Sequence, residues 1–116
     1  MKLFGISNCD TVRKARKYLA AHACEVEFID FRKTPLNPDI IQQWLTHSDW
    51  PTLVNKRSTS WRALDETQKE LLNSTTPSAE AIALLITEPT LIKRPVLQTE
   101  QGILFGFDPV QYQQHI

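Results

Sequence analysis

The chain has 116 residues, 41% of them hydrophobic and 22% charged, with 13 Lys plus Arg against 13 Asp plus Glu. That length and composition fit a single compact domain, and the zero net charge argues against a basic nucleic-acid module or an acidic disordered tail. No apolar run approaches the ~20 residues of a membrane span, and Met1-Lys2-Leu3-Phe4-Gly5-Ile6 is too short and too soon polar for a secretory signal. A soluble, cytoplasmic, monomeric protein is expected, with neither membrane nor nucleic acid as partner.

Residues 2–6 read as a short buried strand, and Ser7-Asn8-Cys9-Asp10 as polar turn chemistry. A helix is predicted over about 10–22, with Val12, Ala15, Leu19 and Ala23 at helical spacing and Asp10 or Asn8 as its cap. Its other face carries Arg13, Lys14, Arg16 and Lys17, which read as a solvated face. Residues 25–31 begin as a period-two strand, so the opening is a βαβ unit with parallel strands. From Asn37 to Glu88 only helices are predicted. Asn37-Pro38 opens one carrying Ile40, Ile41, Trp44 and Leu45. A short stretch near 62–72 holds Ala63, Leu64, Leu71 and Leu72. Thr76-Pro77 opens a third, with Ala81, Ile82, Leu84, Leu85 and Ile86, and Pro89 stops it. Residues 90–97 and 102–107 read as strands around a Gln101-Gly102 turn, and Asp108-Pro109 opens a last short helix through Val110 and Tyr112. This order predicts an α/β fold: a thioredoxin-like mixed four-stranded sheet, β-α-β then β-β-α. Its core comes from 1–34 and 89–116, with a helical insertion at about 37–88.

Cys9 is the residue with chemistry in it. It is placed between a strand and the first turn of a helix, where backbone N–H groups have no partner inside the helix and the helix end carries about half a positive charge. Both favour thiolate over thiol, so its pKa should fall below the free value of roughly 8.5. Arg13 would add to this and Asp10 would oppose it. Cys24, at the other end of the same helix, reads as a packing residue. The helix alone separates the two cysteines by ~20 Å, against the ~7 Å between Cα atoms that a disulfide allows. A redox Cys9 therefore takes its second thiol from another molecule, for which glutathione is the cytosolic candidate. In Leu91-Ile92-Lys93-Arg94-Pro95-Val96-Leu97 the proline suits a strand end or a cis bond, which would hold Arg94 near Cys9 as a donor to anions. Asn55-Lys56-Arg57-Ser58-Thr59-Ser60-Trp61-Arg62 is a polar, basic loop with one large aromatic; it reads either as an anion site or as solvated charge around a core Trp61. His22, His47 and His115 show no ligand spacing, and no nucleotide-binding glycine motif is present.

Four stretches taken together resemble the arsenate-reductase-like family of thioredoxin-fold proteins, in particular its small YffB-type branch, described as glutathione-dependent thiol reductases. They are Leu3 to Ala15 (LFGISNCDTVRKA), Asn55 to Glu66 (NKRSTSWRALDE), Leu91 to Leu97 (LIKRPVL), and Gly106 with Phe107. The resemblance implies Cys9 as nucleophile, Arg94 as its arginine partner and Pro95 as a cis-proline. It implies a substrate surface of Asn8, Asp10, Thr11, Arg13, Asn55, Arg57 and Pro95, no bound cofactor, glutathione as co-substrate, and a small or protein thiol or disulfide as substrate. Glutaredoxin-linked arsenate reductases of the family carry two further oxyanion arginines. The aligned positions here are Asn55, with Arg57 nearby, and Gly106, so arsenate reduction is expected to be weak or absent. A branch of RNA-polymerase-binding regulators often carries a C-x-x-C pair; its second position here is Val12. The function implied first is thus a glutathione-dependent thiol-disulfide reductase, and the alternative is a partner-binding regulatory module of the same fold.

Overall fold

The structure, a computed structural model, describes residues 1–74 and 77–116. The chain divides into two compact units: Met1–Thr34 with Arg94–Ile116, and Pro35–Lys93.

The first unit is built on a mixed sheet. Its strands are β1 (Lys2–Gly5), β2 (Glu27–Asp30), β3 (Val96–Thr99) and β4 (Gly102–Phe105), in the order β2-β1-β3-β4. β1 runs parallel to β2, with Leu3 opposite Phe28 and Gly5 opposite Asp30. It is antiparallel to β3, with Leu3 opposite Leu97, and β3 is antiparallel to β4. This is the thioredoxin-like arrangement. β1 is internal to the sheet and apolar on both faces: the consecutive Leu3 and Phe4 are both buried, as is Ile6 just after it. Helix α1 (Asp10–Ala21) is the parallel crossover, and it buries Val12, Ala15 and Leu19 at one-turn spacing. Leu3, Ala15, Leu19, Leu97 and Tyr112 form the buried cluster, Tyr112 coming from the terminal helix α7 (Pro109–His115). The Tyr112 hydroxyl donates to the Gly106 carbonyl at 3.2 Å, which satisfies its polar end in the core.

α1 ends in a Schellman arrangement. The Cys24 N–H donates to the Leu19 carbonyl and the Ala23 N–H to the Ala20 carbonyl. Ala23 occupies the left-handed position of this motif at φ 54°, where glycine is usual.

The second unit holds α2 (Pro38–Leu45), α3 (Trp50–Leu53), α4 (Thr59–Arg62), α5 (Glu66–Asn73), α6 (Ala79–Thr87) and a 3₁₀ turn at Pro89–Leu91. Five caps repeat one device: the side chains of Asn37, Asp49, Ser58, Asp65 and Ser78 each accept from a backbone N–H three residues on. α6 packs against α2, α5 and the 3₁₀ turn. Trp44 and Trp50 are both buried, and the Trp50 indole donates to the Leu72 carbonyl at 2.9 Å.

Several sequence expectations move. The third predicted helix starts at Ala79 with Ser78 as its cap, not at Pro77; Thr76 lies outside the described residues. The stretch near 62–72 is two helices, because Asp65 caps a new start with Gln68 completing a capping box. The strand expected over 90–97 is confined to 96–99, because Pro89 opens a 3₁₀ turn and Pro95 has no N–H to give to a ladder. The strand expected from residue 25 begins at Glu27. The hairpin loop is Glu100-Gln101, with Gly102 already paired to Thr99 as the first residue of β4.

Candidate active site

Cys9 is itself the N-cap of α1. Its backbone is extended at φ −97°, ψ 128°, its carbonyl accepts from the Arg13 N–H at 3.0 Å, and no side chain caps the helix. Neither Asp10 nor Asn8 takes the role expected of them, because Asp10 is already the first helical residue and Asn8 lies in the exposed turn before it. That leaves the helix-end N–H groups to the cysteine sulfur.

Gly5 is what lets this helix end approach the sheet. A Cβ there would lie 2.8 Å from Val12 Cγ2 and 3.1 Å from Val12 Cγ1, closer than packed carbons tolerate. Val12 is fully buried in the first turn, so its backbone is held where its N–H meets Cys9.

Cys9 is half-buried, and burial by itself pushes the thiol pKa up. The Val12 N–H, the Arg94 guanidinium (by hydrogen bond and by charge) and the Thr11 N–H outweigh it, so the thiol lies below its ordinary value. Arg94 lies just before β3, the Arg94–Pro95 bond is cis, and Pro95 is buried. The Pro95 carbonyl accepts from the Gly106 N–H at 2.8 Å, tying that corner to the end of β4.

The structure thus brings Cys9, Thr11, Arg94 and Pro95 into one corner of the first unit. Arg13 does not add to the thiolate as expected. Its guanidinium pairs with the Asp10 carboxylate one turn back, since residues three apart share a helix face. Arg16 lies over the Phe28 ring at 4.2 Å. Asn55 and Arg57 belong to the second unit, where Asn55 Oδ1 accepts from the Arg57 N–H at 3.1 Å and Lys56 lies 5.5 Å from the Trp61 ring centre. Cys24 is half-buried against the first unit's core, and its thiol donates to the His22 carbonyl at 3.6 Å.

The Val12 and Thr11 N–H groups are among those the sequence expected the helix start to offer to Cys9. One neighbour of the site escaped the sequence reading. Asp30, at the end of β2, accepts from the Ser7 N–H, and its partner lies 23 positions earlier. A cleft of about 600 Å³ opens beside Ser7 and Asp30, with Arg16, Phe28 and Lys33 also in its wall. Among the described residues, no group of three or more His, Cys, Asp or Glu is gathered to hold a metal ion.

Residues 4–115 match the ArsC family, and the chain belongs to that family. It is 45% identical over 111 residues to an uncharacterized protein of Haemophilus influenzae, covering 96% of this chain and 94% of that one. Among solved structures it is similar to a protein called YFFB (TM-score 0.87, 34% identity, 98% and 96% of the two chains). It is also similar to an arsenate reductase (ArsC) related protein from Brucella melitensis (TM-score 0.73, 33% identity, 97% and 91%). A more distant relative is the regulatory protein MgsR of Bacillus subtilis, 26% identical over 113 residues, covering 94% and 84%.

Proposed function

We propose that this protein is a glutathione-dependent thiol-disulfide reductase with Cys9 as its single nucleophile. The observation that carries the reading is the convergence of the Val12 and Thr11 N–H groups and the Arg94 guanidinium on one cysteine sulfur at a helix start. A sulfur held this way attacks as thiolate and also leaves as thiolate, and exchange needs both.

The reaction runs in two exchanges. The Cys9 thiolate attacks the glutathione sulfur of a substrate–glutathione disulfide; the S–S bond breaks, the substrate leaves as thiolate and takes up a proton, and Cys9 is left in a mixed disulfide with glutathione. The thiolate of a second glutathione attacks the glutathione sulfur of that adduct, releasing Cys9 thiolate and glutathione disulfide. In sum the substrate sulfur passes from disulfide to thiol, gaining one electron, and the incoming glutathione sulfur loses one; the glutathione that arrived on the substrate stays at the disulfide level. Arg94 holds the sulfur's charge at the start of the first exchange and at the end of the second. Asn8 and Thr11, exposed beside Cys9, are the polar groups offered to the incoming peptide. Glutaredoxin is the protein class offered as an alternative reductant of the adduct. Arsenate reduction stays a minor activity on this reading, because the aligned positions for two oxyanion arginines hold Asn55 and Gly106.

Incubation with glutathione disulfide should add one glutathione to Cys9 and none to Cys24, read by peptide mass spectrometry. Cys9→Ser should abolish reduction of a glutathionylated model thiol while leaving circular dichroism unchanged. Retained turnover in Cys9→Ser would defeat the mechanism. The similarity to MgsR favours a second reading, a regulator that works by binding a protein partner. A stoichiometric partner recovered equally well by Cys9→Ser would select it.

A further inference from the structure

We infer that Asp30 is a positioning residue for Cys9, acting as a clamp between the end of β2 and the loop that presents the sulfur. Its two carboxylate oxygens divide the work. Oδ1 accepts from the Arg32 N–H at 2.9 Å, a local turn that stops β2. Oδ2 accepts from the Ser7 N–H at 3.3 Å, and the Ser7 hydroxyl donates to the same carboxylate.

Ser7 opens the tight turn that ends at Cys9, closed by the Cys9 N–H donating to the Ile6 carbonyl at 3.2 Å. β1 supplies one anchor of that turn, where the Gly5 carbonyl accepts from the Phe31 N–H at 3.1 Å. Asp30 supplies the other, from the residue paired opposite Gly5 in the parallel ladder. The tip of the loop is exposed at Ser7 and Asn8, between the buried Ile6 and the half-buried Cys9. The Ser7 N–H contact is long for a bond to an ionised acceptor, and the Ser7 hydroxyl adds a second donor to the same carboxylate. Lys33 faces the same carboxylate and favours its ionised form.

The inference rests on Cys9 being the reacting group, and it makes a prediction of distinctive sign. As a bare negative charge near the sulfur, Asp30 would disfavour the thiolate, so removing it would speed alkylation of Cys9 at neutral pH. As a clamp it holds the sulfur against the Val12 and Thr11 N–H groups, so removing it would slow alkylation.

The test measures Cys9 alkylation by iodoacetamide against pH in Cys24→Ser protein, with Asp30→Asn and Asp30→Ala added in turn. Asn keeps one oxygen for the Arg32 turn but presents an amide to Ser7, so it breaks the clamp and spares the local turn. Both variants should move the inflection up by about half a unit, which slows alkylation roughly threefold on the acid side of the inflection, with the thermal transition retained. Alkylation unchanged or faster in a folded Asp30→Asn protein would overturn the inference. Should both Asp30 variants fail to fold, Ser7→Ala removes only the hydroxyl donor. A slowing of the same sign supports the clamp, and no change overturns it. The proposed function fails separately, and visibly, if the parent protein itself shows an ordinary thiol inflection.

Discussion

A single sulfur gathers two backbone donors and one guanidinium, and each donor comes with a residue that can be changed. Arg94→Ala should raise the alkylation inflection of Cys9 by about one unit, because a hydrogen bond to a charged group is worth roughly 1.5–3 kcal/mol and one pKa unit about 1.4. Arg94→Lys should raise it less, keeping the charge but not the planar fork. An inflection unmoved in Arg94→Ala would leave the helix end as the sole source of the lowered pKa. Cys9 and Arg94 were legible in the sequence for different reasons. Cys9 stood out by position, on a polar turn before an amphipathic run. Arg94 stood out by its proline and by family resemblance, since nothing in local spacing brings residues 9 and 94 together. Arg13 misled because charge on a helix face says nothing of its partner; Asp10, three residues back, takes it.

At the scale of the element, α1 is the part that must be placed well, and both its ends are testable. Gly5→Ala drives a methyl group into Val12 at the N-terminal end. It should destabilise the protein by about 1–3 kcal/mol, as overpacking does, read from urea unfolding. Because Val12 also supplies the thiolate's N–H, alkylation of Cys9 should slow in the same variant; an unchanged midpoint would show that β1 and α1 separate freely. At the other end, Ala23→Gly should stabilise by about 1 kcal/mol, since only glycine adopts φ 54° without strain from its Cβ. A lower midpoint in Ala23→Gly would contradict the strain argument. The helical periods of α1, α2 and α6 were visible because each buries a stripe. The short α3 and α4 were not resolved individually, because a four-residue turn has no period and is set by its cap, Asp49 or Ser58. The strand expected over 90–97 overran because Ile92 and Leu91 are apolar for burial beside a 3₁₀ turn rather than for pairing in the main sheet.

Across the whole molecule, a lowered thiol pKa couples stability to pH. Cys9 is more acidic folded than unfolded, so its contribution is fully present above the unfolded value of ~8.5 and is lost as pH falls through the lowered folded value. The stability of the protein relative to Cys9→Ser should therefore rise with pH across that interval, read from urea midpoints. A flat difference would mean the thiol is not perturbed by folding. The overall topology was legible because the two halves of the sheet announce themselves differently: one through a strand-helix-strand period change, the other through turn chemistry at Glu100-Gln101-Gly102. The way the two halves join was not, because the β1–β3 pairing of Leu3 with Leu97 spans almost the whole sequence.

The most direct test of the account is the ionisation of Cys9 itself. Thiolate absorbance, or iodoacetamide alkylation rate, would be followed against pH in Cys24→Ser protein. A single inflection clearly below ~8.5 is expected. An inflection at or above that value would contradict it, because neither the helix end nor Arg94 would then be holding a thiolate.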